Sequence, residues 1–584
     1  MSNNQKHLEY LRHSLAHLLA AAVMGIWPDT KRTIGPSIEN GFYYDFEFKQ
    51  PISDKDLPKI EKRMKRILTT WKSFEKNEVT AQEAKKEFAN NPYKLELIDE
   101  IVKEKQPITI YQSGEFRDLC RGGHVDDIKK MNPKAFKLTK TAGAYWRGDE
   151  KNTMLTRIYG VAFETEQELT EYLKVMEEAE KRDHRKLGQE LDLFAFSELV
   201  GSGLPLFMPK GTIVMQEVNK LLNELKTAKG YQMVDIPHLA KNELYKVSGH
   251  WDKFKDDIFH VKGKTDQFVL KPMNCPHHIQ IYQARPHSYR DLPIQYAEIT
   301  KQYRDEQSGE LHGLSRVRSI TIDDAHIFCR SDQILDQAKG AFDIISTFLK
   351  TFGLKTELSL SVRDPKAKDK YLGTDKVWQQ AEDTLARVLK VQKATYTREE
   401  GEAAFYGPKI DFVALDSLGR RWQLSTIQLD FNLPERFQLD YTDDKGKKVG
   451  TTMLHIAVAG AFERFFSIII EHYAGAFPVW LSPVQAHLIT VGSAHQSFAK
   501  KLAKEFMEAG IRVEVDDANE TVGNKIRKAV KLKVPYMLVL GDKEVNAAKL
   551  NIRARSNDAI ITKSKSAFIK HVCEEIAERR DREL

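Results

Sequence analysis

The stretch from Glu166 to Leu193, EQELTEYLKVMEEAEKRDHRKLGQELDL, limits what this chain can fold into. Charged residues fill it, and Leu169, Leu173, Met176 and Ala179 form only a narrow apolar stripe at helical spacing. A helix with so thin an apolar face bridges domains rather than lying inside a core. The chain therefore reads as separate domains on either side, and 584 residues exceed what a single core accommodates. We expect four segments: an N-terminal α+β domain over 1–165, a connector helix over 166–193, a large central domain over 194–483, and a small C-terminal domain over 484–584.

Local patterns fill in these segments. From Lys6 to Trp27, Leu8, Leu11, Leu15, Leu18, Leu19, Ala22 and Val23 recur at helical spacing, and Pro28 closes the run. Residues 33–48 suit turns and short strands, 56–72 a charged helix, and 107–163 short strands with glycine turns. In the central segment FYGPKIDFVAL and TIQLDFNL are strand-like, whereas HIAVAGAFERFFSIIIEHYAGAF reads as one long buried helix. After Val484 strands and helices alternate, which predicts a small α/β domain.

Composition excludes little. The formal charge of +7 comes from 90 Lys+Arg against 83 Asp+Glu, a weak excess that permits nucleic-acid binding without arguing for it. Cys120, Cys275, Cys329 and Cys573 are scattered, which predicts reduced thiols and a cytoplasmic setting. The N-terminus lacks a signal-peptide pattern, and charges interrupt the most apolar late stretch, so neither secretion nor a membrane span is expected.

Three constellations carry chemistry. His13 and His17 lie four apart on a predicted helix and so share one face. Cys120 and His124 flank Gly122 and Gly123, which put them on a loop. If folding joins the two pairs, they could bind zinc or hold a water and shuttle its proton; on their own, such spacings are more often incidental. The block from Lys271 to Phe328 spaces Arg304, Arg316 and Arg318 beside Tyr303, Glu306 and Asp324, and guanidinium forks suit a triphosphate. No G-x-x-x-x-G-K-[ST] loop occurs, so a P-loop site is excluded. Last, Glu463 and Arg464 stand in an apolar run, where a charge must be paired or liganded.

Several long motifs, in order over nearly the whole chain, give these patterns a family. YRDE with its downstream arginine and GAFERF resemble the second and third signature motifs of class II aminoacyl-tRNA synthetases. KPMNCP, ELHGLSRVR, DDAHIF, AFYGPKIDF, TIQLDFNLPERF and GDKEV are similar to the threonyl branch. HSLAH, GFYYDF, CRGGH and KTAGAYWRGD resemble its editing domain. The resemblance implies a multidomain α+β protein: an editing domain (1–165), a class II antiparallel-sheet catalytic core (194–483) and an α/β anticodon-binding domain (484–584), without the ubiquitin-like N-terminal module of many relatives. It implies ATP-dependent activation of L-threonine, transfer to tRNA(Thr), and hydrolysis of mischarged Ser-tRNA(Thr), by a homodimer paired near Pro237.

Residue by residue, the resemblance implies that Arg304 holds the α-phosphate and amino-acid carboxylate, Glu306 the adenine, Arg316 the distal phosphates, and Arg464 the triphosphate and ring; Lys409 approaches the α-phosphate. Cys275, His326 and His455 match ligands of one Zn²⁺ per subunit, Mg²⁺ accompanies ATP, and Asp324, Tyr406 and Gln428 match the threonine pocket. His13, His17, Lys94, Asp118, Cys120 and His124 are implied for editing, by water and without a required metal. Glu544, Arg553 and Arg555 fall where the anticodon is read.

This chain also departs from the pattern. His277 follows Cys275-Pro276 where the family has glycine, Ile320 stands where an aromatic stacks on adenine, and Ile322 replaces a pocket glutamine. The family's Gly-Ser before the third-motif Glu-Arg is Gly460-Ala461-Phe462 here. Weaker ATP binding is expected. Two alternatives stand beside the active enzyme: a catalytically weakened tRNA-binding paralogue, suggested by Ile320 and Ile322, and a synthetase for another amino acid, disfavoured by the Cys–His–His set.

Overall fold

The computed structural model describes residues 3–555 and 560–580. It divides into two compact units, one ending at Glu177 and the other beginning at Glu178.

In the first unit the helix Asn3–Ile26 buries Leu11, Leu15, Leu18, Leu19, Ala22 and Val23. They pack with Phe42, Tyr44, Phe46 and Ile158 of an antiparallel sheet. That sheet runs Lys31–Arg32, Gly41–Glu47, Met154–Ala162, Phe136–Tyr145, with Ser37–Ile38 also on Gly41–Glu47. A smaller antiparallel sheet joins Glu75–Val79, Ile108–Ser113 and Phe116–Leu119. The helix Pro92–Lys103 starts on an Asn91 cap, whose side chain accepts the Lys94 N–H.

In the second unit the central sheet has eight strands, in the order Gln232–Met233, Ile294–Tyr303, Ser319–Cys329, Thr452–Ala457, Arg421–Asp430, Lys409–Leu415, Lys355–Val362, Thr397–Glu400. Only the first and last pairings are parallel. Strand alternation assigns its faces. Ala325, Ile327 and Cys329 enter the main core with residues of the helices Pro209–Thr227, Ile334–Thr351, Asp375–Val391 and Phe462–His472. Phe328 points the other way and packs with Cys275 and Met453. The sheet of the C-terminal part runs Val513–Asp516, Ala486–Thr490, Tyr536–Leu540, Lys549–Ala554, Ile560–Ser564; its first three strands are parallel, as the α/β reading expects.

Two expectations need correction. The connector is not one helix: Glu166–Arg182 ends, and Asp183, with non-helical backbone, caps a second helix, His184–Glu190. The Asp183 side chain accepts the Arg185 N–H and so starts the new helix. Nor is His455–Phe477 a single helix. Thr452–Ala457 is a strand and the helix is Phe462–His472. Gly460 lies between them at φ 64°, and an added Cβ there would stand 2.6 Å from the Leu424 carbonyl oxygen. The backbone turns where only glycine fits.

Candidate catalytic and editing sites

Strand register builds the site of the second unit. Tyr296 pairs with His326, His326 with His455, His455 with Gln428, and Gln428 with Lys409. These five residues from five strands form one cross-strand row. Cys275, the first residue of the helix Cys275–Gln283, stands over that row. Its sulfur and one ring nitrogen from each of His326 and His455 lie within 4.8 Å of one another, and all three side chains are buried.

The facing nitrogens are His326 Nε2 and His455 Nδ1, 3.1 Å apart. Each ring's far nitrogen is occupied. His455 Nε2 lies 2.9 Å from Asp430 Oδ2, and His326 Nδ1 lies 2.8 Å from His278 Nδ1. A carboxylate only accepts, so His455 donates from Nε2 to Asp430, which fixes the ring with Nδ1 toward the triad. Burial holds the His326 imidazole well below its ordinary pKa and so neutral, while it raises the Cys275 thiol far above its usual range. One sulfur and two oriented imidazoles suit Zn²⁺, which would itself hold the sulfur as thiolate.

Beside this triad stand the residues expected for threonine and ATP. Asn274 Nδ2 donates to Asp324 Oδ2 at 3.1 Å, and Asp324 Oδ1 lies 3.7 Å from His326 Nε2. The Tyr406 hydroxyl donates to Gln428 Oε1, and its ring centre is 4.9 Å from that of His455. Lys409 Nζ reaches Asp411 Oδ2 at 2.5 Å. Arg304 lies over the Phe254 ring at 5.0 Å, and its Nε has no hydrogen-bond partner among the described residues. Arg316 is exposed and shared between Glu306 and Glu310, with Nε 2.8 Å from Glu306 Oε2 and NH2 2.8 Å from Glu310 Oε2. Arg464 is also exposed; its Nε donates to the Ser315 carbonyl at 3.3 Å. Its neighbour Glu463 is fully buried, ion-paired with Lys301 at 3.0 Å and accepting both N–H and hydroxyl of Thr321. The adjacent charges thus part: Glu463 anchors the strand Ser319–Cys329, and Arg464 faces out.

The first unit brings its own constellation together. The rings of His13 and His17 lie 5.1 Å apart, and that of His124 lies 4.5 Å and 4.7 Å from them. Cys120 Sγ is 3.6 Å from His13 Nε2 and 3.3 Å from His124 Nε2. Gly122 and Gly123, at φ 102° and 89°, make the loop that returns His124 to the helix. Lys94 and Asp118 form a buried pair at 2.7 Å, and the Tyr44 hydroxyl donates to Asp118 at 2.5 Å. Arg32 Nε donates to Asp118 Oδ1 at 3.1 Å. A cavity of about 500 Å³ is lined by His13, His17, Lys94, Asp118, Cys120 and others.

Burial lowers the His13 imidazole and takes that of His17 down to about 3. It pushes the Cys120 thiol up to about 12. Burial also raises the Asp118 carboxyl, but Lys94, Arg32 and His17 more than offset it, and the group lies well below the carboxylate range. The pocket thus holds neutral imidazoles, a protonated thiol and a fixed carboxylate.

Residues 257–473 match the family model of the tRNA synthetase class II core domain (G, H, P, S and T), and 485–575 that of an anticodon binding domain. Residues 108–159 match the threonyl and alanyl tRNA synthetase second additional domain. The threonine–tRNA ligases of Thermotoga petrophila and Deinococcus radiodurans are each 45% identical to this chain, over 98% of it and 89% of theirs. The chain belongs to the threonyl-tRNA synthetase family. Solved relatives agree. The RNA binding domain of the threonyl-tRNA synthetase from Cryptosporidium parvum superposes with a TM-score of 0.65 at 33% identity, covering 69% of this chain and 99% of its own. For a putative threonyl-tRNA synthetase from Aeropyrum pernix the values are 0.60, 28%, 68% and 95%.

Of the residues that the threonyl-tRNA synthetase resemblance puts at the anticodon, Glu544 Oε2 accepts the Gly541 N–H at 3.1 Å and Oε1 the Asn551 amide at 3.2 Å. Arg553 lies on the strand Lys549–Ala554, opposite Met537. Arg555 is part-buried and its guanidinium donates to the carbonyls of Lys533 and of Phe477, the latter at 2.7 Å. These bonds brace the guanidinium against two backbone carbonyls.

Sequence reasoning passed over four groups at these sites. His278 and Asp430 orient the imidazoles of His326 and His455. Asp430 left a trace, a charge in the apolar run TIQLDF, and His278 lies three residues after the quoted cysteine. Tyr44 was inside a quoted motif without a role. His250 left none: it is fully buried, with Nε2 3.6 Å from Cys275 Sγ, and its place depends on folding alone.

Proposed function

We propose that this threonyl-tRNA synthetase selects its amino acid at a Zn²⁺ held by Cys275, His326 and His455, activates it with ATP along the strand row beside them, and hydrolyses Ser-tRNA(Thr) in the separate pocket of the first unit. The convergence of one buried sulfur and two oriented imidazoles carries the reading. When bound, such an ion supplies an open position that a β-hydroxy amine fills with two groups and valine cannot.

The chain's own residues do the rest. Asp324, Tyr406 and Gln428 line the threonine side; Arg304 and Lys409 stand where the carboxylate attacks the α-phosphate; Glu306, Arg316 and Arg464 hold the nucleotide. Activation is then positioning and charge neutralisation, with Mg²⁺ arriving on ATP. Serine lacks only a methyl group, worth roughly 1–3 kcal/mol, so a first site of any design passes some of it. The neutral His13, His17 and His124 rings beside Lys94, Asp118 and Cys120 suit a water held for hydrolysis, the route without a required metal that the family resemblance implies.

The same reading gives domains 1–165, 166–193, 194–483 and 484–584, with Glu544, Arg553 and Arg555 in the part that reads the anticodon. It pairs two copies near Pro237 and puts the enzyme in the cytoplasm; among the described residues no helix is long and apolar enough to cross a membrane.

The test joins metal analysis to amino-acid-dependent pyrophosphate exchange. We expect one zinc per subunit, exchange with threonine and none with valine. Cys275→Ser should lose both zinc and exchange yet still deacylate Ser-tRNA(Thr). Full threonine-dependent exchange from metal-free protein would defeat the proposal.

A further inference from the structure

The loop 304–318 joins the strands Ile294–Tyr303 and Ser319–Cys329 and carries Arg304, Glu306 and Arg316. Its shape decides where those groups stand. Midway along, Leu314 is fully buried in the main core, and its N–H leaves the loop. It donates to Nε2 of His184, 3.1 Å away and 130 residues earlier in the chain.

His184 is 3% exposed and opens the helix His184–Glu190. Its Nδ1 lies 2.6 Å from Glu471 Oε1, which also accepts the His184 backbone N–H at 3.0 Å. Glu471 belongs to the helix Phe462–His472, the one that carries Glu463 and Arg464. Its other oxygen accepts from Arg420, itself held by Asp416 at 2.7 Å. Glu471 is therefore a fixed acceptor. Burial works to raise it, but the hydrogen bonds from His184 and the charge of Arg420 leave it below its usual pKa and ionised. An acceptor at Nδ1 requires the proton there, which leaves Nε2 as a lone pair for the Leu314 N–H. Both ring nitrogens of His184 are thus committed, one to each side.

Gly313 shows how closely the loop is drawn down. It has φ +50°, and a Cβ there would stand 2.3 Å from His184 Nε2. One residue past Leu314, Arg464 Nε donates to the Ser315 carbonyl. The loop is fastened from beneath by His184 and from the side by Arg464, and both fastenings trace to the same helix.

We propose that His184 is a positioning residue for ATP: it ties the nucleotide loop, through the Leu314 N–H, to Glu471 on the Phe462–His472 helix, so that Arg304, Glu306, Arg316 and Arg464 keep one mutual geometry. The inference rests on the reading that the loop 304–318 holds ATP. His184 touches no substrate. It acts through the backbone at Leu314, and removing it leaves a buried N–H without its acceptor.

The experiment measures threonine-dependent pyrophosphate exchange by the full-length, zinc-loaded protein, with amide exchange over 304–318. His184→Ala should raise KM for ATP about tenfold with a much smaller change in kcat and in KM for threonine, the effect of losing one buried acceptor. Amide exchange in the loop should quicken. His184→Gln, which keeps an acceptor oxygen within reach of Leu314, should recover most of both losses. Deacylation of Ser-tRNA(Thr), a reaction of the other unit, should be unchanged. Wild-type ATP KM and loop exchange in His184→Ala overturn the inference, and so does an equal loss in the glutamine variant. Arg316→Ala separates the two readings. If it raises KM for ATP while His184→Ala does not, the positioning role alone is wrong; if neither does, the loop is not the nucleotide site. Should the alanine variant be unstable, Gly313→Ala decides, because its methyl group lands on His184 Nε2: a raised ATP KM supports the role and an unchanged one overturns it.

Discussion

A histidine pushed to about 3 by burial behaves unlike one in water, and His17 is such a residue. His13 is shifted the same way for the same reason. An ordinary imidazole, with a pKa of about 6.5, would lose roughly nine-tenths of its neutral form between pH 7.5 and 5.5. The His17 ring stays neutral over that interval, so if it is the base, Ser-tRNA(Thr) deacylation should remain nearly flat where an unperturbed base would give about a tenfold fall. Single-turnover hydrolysis across that range checks it. The stability consequence has the opposite flavour. The unfolded chain protonates these imidazoles below about 6.5 while the folded chain resists, so their contribution is fully present above about pH 6.5 and is lost as pH falls toward the folded value. Ile320 is a second residue-scale case. It lies on the strand Ser319–Cys329 opposite Gln302, half-buried, where the family has a ring against adenine. Ile320→Phe restores stacking, worth about 0.5–1.5 kcal/mol, so KM for ATP should fall about two- to tenfold with KM for threonine unchanged in exchange assays.

Between elements, the decisive information is register. Two strands of the central sheet, Lys409–Leu415 and Arg421–Asp430, were legible in their composition, and so was the helix that carries His13 and His17. The pairing of His326 with His455 was not, because it joins residues 129 apart and no local periodicity encodes which strand lies next to which. The family resemblance supplied the grouping; the sheet supplies its cause. The run from His455 to Phe477 failed for a related reason. Its apolar residues fit a helix throughout, and the turn depends on one residue, Gly460, whose left-handed φ and lack of room for a Cβ beside the Leu424 carbonyl are tertiary facts. Gly460→Ala tests that turn. An alanine must bear the positive φ and displace a backbone oxygen, a cost of about 1–3 kcal/mol. The Gly460 carbonyl also accepts the Asp323 N–H at 3.1 Å, next to Asp324. Denaturant unfolding should show the loss of stability, and exchange activity should fall with it, whereas Ser-tRNA(Thr) deacylation should hold.

For the molecule as a whole, discrimination is divided between chemistries that cannot substitute for each other. A site that grips an amino group and a hydroxyl rejects valine but has only a methyl group by which to tell threonine from serine, and that limits it to about 10–200-fold. On the proposed function the second pocket works on what the first lets through, and it shares no residue with the first: the histidines, lysine and carboxylate proposed for it all come from the unit ending at Glu177, the residues proposed for nucleotide and metal all from the unit beginning at Glu178. Replacing His13 and His17 together by alanine should therefore leave threonine-dependent exchange and charging of tRNA(Thr) at wild-type rates, while Ser-tRNA(Thr) accumulates instead of turning over. The excess should be bounded by the first site alone, so that serine at equal concentration is charged at about one part in 10–200 relative to threonine. Ser-tRNA(Thr) formation by the double variant, measured beside its exchange rate, checks both halves. Serine charging that stays at the wild-type level would mean that the histidine pocket is not the second filter; exchange that falls with it would mean that the two units do not act separately.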